Sequence, residues 1–97
     1  MTDEQKAKCN EIRKHYSTTN QILKAVEEMA ELQQALIKFT IGDNGDLDNV
    51  IEEIADVCIM IEHLKCIFDP MGIDVLMIIN SKLNRQIERM ERENDHV

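Results

Sequence analysis

The chain has 97 residues, of which 43% are hydrophobic and 3% aromatic, and its formal net charge is −8. This length predicts one domain, over residues 1–97, with an aliphatic core. The acidic balance argues against nucleic acid as a partner, and no apolar run approaches the ~20 residues of a membrane span. The N-terminus is polar, and we therefore expect a cytoplasmic protein. The three cysteines form no CxxC pair, so we expect each to be a small buried hydrophobic residue in a reducing compartment.

Three glycines and one proline give the chain few helix breaks, which predicts long helices. A short first helix is predicted over about residues 2–16. The second is predicted over about residues 20–40, after the capping cluster Ser17-Thr18-Thr19-Asn20, in which Thr18 and Gln21 fit a capping box.

Residues 41–46 have the composition of a turn, and a third helix is predicted over residues 47–68 with Asp46 or Asp48 as its N-cap. The middle of this helix has little polar surface, so we expect it to be buried on most sides. The Asp-Pro-Met-Gly segment at residues 69–72 ends it, and a fourth helix is predicted over about residues 73–93.

These elements predict an all-α fold with four helices per chain. Because the turn between the second and third helices is short, they should form an antiparallel helical hairpin, with the first and fourth helices flanking it. A chain this short cannot bury all of its apolar surface. We therefore expect an oligomeric helical bundle, either a homodimer or a homotetramer.

Two pairs of acidic residues suggest a shared site. Asp56 is the only polar residue in the run from Ile54 to Ile61, with Glu53 three residues before it, and Glu28 and Glu31 repeat this spacing on the preceding helix. A carboxylate in an apolar run is costly to bury without a partner. Since residues at i and i+3 project from one helical face, the two pairs can face each other between the helices.

Four facing carboxylates repel one another unless a cation joins them. Ligands that are all oxygen favour Mg²⁺, with Mn²⁺ as a substitute, or Ca²⁺ over zinc. A carboxylate cage that leaves water on Mg²⁺ is typical of sites that handle phosphates. We therefore predict Glu28, Glu31, Glu53 and Asp56 as metal ligands and catalytic residues.

Other interpretations of these residues were weighed. A single E-x-x-E in an acidic chain usually marks a solvated helix face. We expect Glu27 and Glu52 to be solvated surface residues of this kind. A di-iron bundle would need Glu-x-x-His pairs, which neither motif provides. His63, two turns beyond Asp56, is expected to be a core or rim residue with a satisfied hydrogen bond, whereas His15 and His96 are expected at the surface.

The fourth helix carries the one cluster of positive charge. Lys82, Arg85 and Arg89 fall within one arc, and Asn84 lies one residue off it. Opposite a metal cage, this basic stripe would hold a polyphosphate, with arginine giving bidentate contacts. The alternative is that nearby glutamates neutralise a solvated helix end.

The order Glu28-x-x-Glu31, then Glu53-x-x-Asp56, with "EEMAEL" at 27–32, "EEIADV" at 52–57 and "KLNRQIER" at 82–89, resembles the ExxE…ExxD signature of the all-α nucleoside triphosphate pyrophosphohydrolases. The chain is most similar to short, phage-related MazG-like proteins. One departure is Gln86, which stands after Arg85 where relatives often have a second arginine. Whether Arg85 or Arg89 contacts phosphate is therefore open.

The resemblance implies a helical dimer or tetramer with Mg²⁺ held by the four carboxylates. It implies hydrolysis of a (d)NTP between the α- and β-phosphates, giving a (d)NMP and pyrophosphate, with one carboxylate orienting or deprotonating the water. Lys82 matches the family's lysine in the last helix. The wider superfamily includes dimeric dUTPases, dCTP pyrophosphatases and phosphoribosyl-ATP pyrophosphohydrolases, so the motif does not set the substrate.

Base recognition is the least defined part of the prediction, because aromatic residues are scarce. Tyr16 and His15 precede the first capping cluster and are candidates to cover a base. Two functions remain open: a Mg²⁺-dependent pyrophosphohydrolase, including a phosphoribosyl-ATP type, and a non-catalytic helical module that binds a nucleotide or a partner. The second is suggested by Gln86 and by the few aromatic residues.

Overall fold

The computed structural model describes residues 1–42 and 46–95, and the elements in this part of the chain are four α-helices. They are α1 (Asp3–His15), α2 (Thr18–Ile41), α3 (Leu47–Phe68) and α4 (Ile73–Asp95). The predicted all-α class is confirmed, and α3 has the predicted bounds. Part of the turn predicted between α2 and α3 lies outside the described residues.

Side-chain caps fix the start of each of the first three helices. Thr2 caps α1 in a capping box with Gln5: Gln5 N donates to Thr2 Oγ1 over 3.1 Å, and Thr2 N donates to Gln5 Oε1 over 2.9 Å. Asp46, one of the two predicted caps, begins α3 by accepting from Asn49 N over 2.6 Å.

The capping cluster predicted before α2 contains the observed N-cap, but the capping box predicted for Thr18 and Gln21 was wrong. Ser17 is the N-cap, with its Oγ accepting from Asn20 N over 3.1 Å, and Thr18 is already helical. Gln21 does not complete a capping box, since its Oε1 accepts no hydrogen bond in the structure. At the other end, Gly42 adopts a left-handed conformation (φ 72°), and its N–H donates to the carbonyls of Lys38 and Phe39.

The α2 and α3 helices pack closely against each other, and α1 packs on α3. A connection over residues 42–46 between two helices of this length leaves only an antiparallel hairpin. The core is small: its buried hydrophobic residues are Cys9, Ala25, Ala35 and Val50. The expectation that all three cysteines are buried was therefore wrong, since Cys58 is exposed and Cys66 is only half-buried.

In α4, which the structure describes throughout, no residue is buried. The α3–α4 turn is held by Asp69 Oδ2, which accepts from Val75 N over 2.8 Å. Beyond this turn, α4 extends away from the α2–α3 hairpin. The radius of gyration is 17.1 Å, against about 12–13 Å for a compact domain of this length. The accessible surface is 7891 Å², against about 5,700 Å² for a compact monomer of this mass.

Because α4 does not pack back over the hairpin, the expectation that α3 is buried on most sides was wrong for a single chain. Ile51, Ile54 and Ile61 of α3 are exposed by 55%, 45% and 43%. Only the sides of α3 that face α2 and α1 are covered. Within residues 1–42 and 46–95, no helix combines the length and apolar character that a membrane crossing needs.

Candidate metal centre

Three of the four predicted carboxylates meet between α2 and α3. One carboxylate oxygen from each of Glu28, Glu53 and Asp56 lies within 4.8 Å of the other two. Glu53 and Asp56 project from one face of α3 because they are three residues apart, and Glu28 comes from the facing helix. We call these three residues the carboxylate cluster.

Glu31 borders this cluster and is exposed. Its pKa is raised first by the negative charge of Glu28, and then by desolvation, by the charge of Glu53 and by a side-chain hydrogen bond with Glu28. The fourth predicted carboxylate is therefore electrostatically coupled to the cluster without belonging to the group of three.

Two oxygens in the cluster are buried without a donor. Glu28 is 8% exposed, and its Oε2 has no hydrogen-bond partner, as is also true of Glu53 Oε2. A buried, unpaired carboxylate oxygen carries an uncompensated desolvation cost. An ionised carboxylate oxygen only accepts, so a hydrogen-bond donor such as an ordered water, or a bound cation, would satisfy it.

The pKa of Glu53 is raised by desolvation first, and then by the charges of Asp56, Glu28 and Glu52. Like charges that crowd one point favour either protonation or a bound cation. Two ligand oxygens on one Mg²⁺ can lie at most about 4.2 Å apart. The cluster, whose oxygens lie within 4.8 Å of one another, is therefore close to the size that a hard divalent ion requires.

Asp56 is exposed in the single chain, contrary to the expectation that its apolar run would bury it. The reason is that its neighbours in the run, Ile54 and Ile61 among them, are themselves partly exposed. Asp56 belongs to the site by its position beside Glu53 and Glu28 and not by its own burial.

The cation that the structure does place at the cluster is Lys24, which the sequence analysis missed. Its Nζ lies 3.1 Å from Glu28 Oε1 and 3.7 Å from Glu27 Oε2. The pKa of Lys24 is raised, chiefly by its hydrogen bond to Glu28. The signal was present in the sequence as a Lys–Glu pair at i and i+4.

The basic stripe lies elsewhere. Its three cations, Lys82, Arg85 and Arg89, are exposed on α4, as is the neighbouring Asn84. In the described part of the chain, none of these cations forms an ion pair with the carboxylate cluster. A single chain thus gathers three of the eight predicted site residues, with Glu31 beside them.

A cavity of about 390 Å³ opens between α1 and the α2–α3 hairpin. Tyr16, one of the two candidates to cover a base, lines it, and the ring of His15 meets Tyr16 edge-on with centroids 4.7 Å apart. The other lining residues were not predicted to contact a ligand; they are Ile12, Asn20, Gln21, Lys24, Met60 and His63.

His63 is a core residue with a satisfied hydrogen bond, as predicted. It is 2% exposed, and its Nδ1 lies 3.2 Å from Arg13 Nη1. Desolvation, and then the charge of Arg13, lowers the pKa of His63, which favours the neutral ring. His15 is exposed as predicted, and the prediction for His96 lies outside the described residues.

The arrangement can bind a hard cation between two helices and a small organic group in the adjacent cavity. Glu27 and Glu52 are exposed, as expected of surface residues. Comparisons of the chain with protein-family models, with curated proteins and with solved structures gave no match.

Proposed function

We propose that the protein is a Mg²⁺-dependent nucleoside triphosphate pyrophosphohydrolase of the MazG-like type, which converts a (d)NTP to a (d)NMP and pyrophosphate. One observation carries the proposal: carboxylates of Glu28, Glu53 and Asp56 converge from two helices within 4.8 Å, and two of their oxygens are buried without a donor. The order and spacing of the acidic motifs support the same reaction.

In this proposal, Glu28, Glu53 and Asp56 hold Mg²⁺, with Mn²⁺ as a substitute. When bound, the ion neutralises phosphate charge and positions the triphosphate, which is most of what phosphoryl transfer requires. Glu31 stands beside the three ligands and is open to water, so we assign it the general-base role. It takes a proton from the water that attacks the α-phosphorus, and the bond to the β-phosphate oxygen breaks as pyrophosphate leaves.

We also propose a homo-oligomer, either a dimer or a tetramer. The single chain exposes about 2,000 Å² more surface than a compact monomer would, which is comparable to the area that a standard protein interface buries. The apolar first half of α4 contributes to it, with Leu76 and Met77 exposed by 64% and 66%. In such a bundle, α4 of a second copy brings the basic stripe opposite the cluster.

The stripe would then contact the phosphates from the side away from the metal. Lys82 and Asn84 supply single donors, whereas Arg85 and Arg89 can each bind two phosphate oxygens. Together with Lys24, these residues would stabilise the charge that builds up on the leaving pyrophosphate.

The test is pyrophosphate release from a panel of canonical and modified (d)NTPs and phosphoribosyl-ATP, with Mg²⁺, Mn²⁺ or EDTA. We expect release that depends on the metal, and a loss of at least about 100-fold in Asp56→Asn, because this residue supplies a metal ligand. Glu52→Gln removes an exposed acid four residues earlier on the same helix and should stay near wild type. Equal activity in Asp56→Asn and Glu52→Gln would refute the proposal.

A second candidate function is a non-catalytic helical module that binds a nucleotide or a partner. The observation that favours it is the position of the basic stripe, which lies on a helix with no buried residue among those described, 73–95. This candidate predicts no product from any substrate in the panel and a melting temperature that Mg²⁺ does not change. The enzyme predicts a rise at millimolar Mg²⁺, because only the folded chain assembles the cluster.

A further inference from the structure

One face of α4 carries a regular apolar stripe that nothing in the chain covers. Its residues follow one another at alternating intervals of three and four, which places their side chains on one side of the helix. The apolar members, each more than half exposed, are Ile73, Leu76, Leu83, Ile87 and Met90. Asn80 and Asn94 continue the same spacing. We call these seven residues the seam.

The spacing of the seam is that of a coiled coil. Ile73 and Ile87 occupy position a of the heptad, whereas Leu76 and Leu83 occupy position d. A β-branched residue at a with leucine at d favours two parallel strands. The 23 residues of α4 give about three heptads and a length of about 35 Å, which is long enough for such a pair.

Asn80 distinguishes between the two possible orientations of a pair. It occupies position a, and in a parallel, in-register pair each a residue meets its own counterpart, so the two Asn80 amides can hydrogen-bond each other. In an antiparallel pair, position a faces position d, which holds leucine or methionine in α4. The Asn80 amide would then be buried against an apolar side chain at a cost in free energy. The seam therefore favours the parallel arrangement.

The charges of α4 allow two copies to approach along this helix. It carries four basic and five acidic side chains, whereas the whole chain has a net charge of −8, so α4 adds little to the repulsion between copies. In a parallel pair, position g lies beside position e of the partner helix. Gln86 then neighbours Glu91 of the second copy, and Ile79 neighbours Asn84, so no like charges meet.

The side of α4 away from the seam keeps its own role. Lys82, Arg85 and Arg89 fall at the outer heptad positions c and f, so pairing through the seam leaves the basic stripe uncovered. The area also suffices, because the single chain exposes about 2,000 Å² more than a compact monomer, and a standard interface covers about 800 Å² on each partner.

We propose that α4 pairs with α4 of a second copy of this chain as a parallel, in-register, two-stranded coiled coil, with Asn80 bonded to its counterpart. The pairing rests on the proposed homo-oligomer, whose interface it identifies, and not on the proposed reaction. A homodimer contains one such pair, and a homotetramer contains two.

Met90→Cys tests the orientation, because position d meets its counterpart only in a parallel, in-register pair. In a background of Cys58→Ser and Cys66→Ala, the one native cysteine left is Cys9, which is buried. Mild oxidation with copper phenanthroline should link most of the Met90→Cys protein into dimers on a denaturing gel. Arg92→Cys is the matched control on the outer face, and it should link at least about fivefold less.

Asn80→Ile tests the register residue. Replacing a buried polar residue at position a by isoleucine removes its cost in stability, so the full-length variant should associate at least about tenfold more tightly in analytical ultracentrifugation. Ser81→Ile is the control, since it adds the same side chain at the neighbouring outer position and should leave the association as in the wild type.

An antiparallel pair would separate the two Met90 positions by roughly 15 Å or more. Equal linking of Met90→Cys and Arg92→Cys would therefore overturn the proposal, as would an Asn80→Ile variant that associates no more tightly than Ser81→Ile. A wild type that is monomeric in light scattering would remove the pair and the proposed oligomer together. Efficient linking of Met90→Cys in a protein that releases no pyrophosphate would support the pair and count against the reaction alone.

Discussion

The acidic residues of the site differ in what surrounds each side chain. Glu28 is buried and paired with Lys24 on one oxygen, Glu53 has a buried oxygen without a partner, and Asp56 and Glu31 are open to solvent. Burial suits a ligand that a cation must hold in place, and exposure suits a residue that exchanges protons with water. Asp56 is assigned as a ligand by its position, because one of its oxygens lies within 4.8 Å of oxygens of Glu28 and Glu53. Glu31 is assigned as the base because it lies outside that group and is exposed.

This environment predicts how stability depends on pH in the absence of metal. The pKa values of Glu53 and Glu31 are raised in the folded chain, so the folded state binds protons more tightly than the unfolded state does. The contribution of these protons to the free energy of unfolding is therefore complete below the ordinary carboxyl pKa. It is lost as the pH rises through the raised pKa values of the folded state. Urea unfolding across that range, with EDTA present, should show it.

Glu53→Gln should flatten this dependence, because it removes one of the raised groups and relieves the repulsion on Glu31. Glu88→Gln, at an exposed position on α4, should leave it as in the wild type. Saturating Mg²⁺ should reverse the trend over the same pH range, since the cluster binds the ion as its carboxyl groups lose their protons. A wild type whose stability depends on pH as the Glu53→Gln variant's does would contradict the assignment.

At the scale of the helices, the structure places the start of α2 at Ser17. Because the Ser17 side chain satisfies Asn20 N, Ser17→Ala should lower the free energy of unfolding by about 1 kcal/mol. Thr18→Ala is the control, since Thr18 lies inside the helix, where alanine has the better helix propensity. Chemical denaturation separates the two outcomes, and equal losses would indicate that both hydroxyls cap α2.

The helices themselves were predictable, because periodicity, caps and breakers are local. The run from residue 47 to residue 68 ends at Asp69-Pro70, and α3 stops there in the structure. The convergence of Glu28 on Glu53 and Asp56 was predictable too, since i, i+3 spacing and a short connection leave few alternatives. The cavity was not, because it depends on how α1 packs over α3.

At the scale of the whole molecule, a single chain leaves much apolar surface uncovered. This explains why an apolar sequence failed to predict burial: Asp56 and Cys58 lie in an apolar run, yet both are exposed. An apolar sequence indicates that a surface favours burial. It does not indicate whether that surface is buried within the same chain or against another copy. The position of α4 could not be predicted for the same reason.

The uncovered surface predicts a multiple of the 11.2 kDa chain mass in light scattering. Leu76→Glu should shift the protein toward the monomer and reduce pyrophosphate release, because it buries a charge in the interface. Ser81→Glu adds the same charge to α4 away from the Leu76 face and should preserve the assembly. A wild type that is monomeric and fully active would contradict the oligomer.

The proposed reaction depends on three carboxylates that hold one divalent cation between α2 and α3. A Mn²⁺ titration followed by electron paramagnetic resonance tests it most directly, since the signal of the free ion is lost on binding. We predict saturable binding in the wild type and in Glu52→Gln, and a loss of at least about tenfold in affinity in Glu53→Gln and Asp56→Asn. Equal Mn²⁺ affinity in all four proteins would place the metal elsewhere and contradict the account.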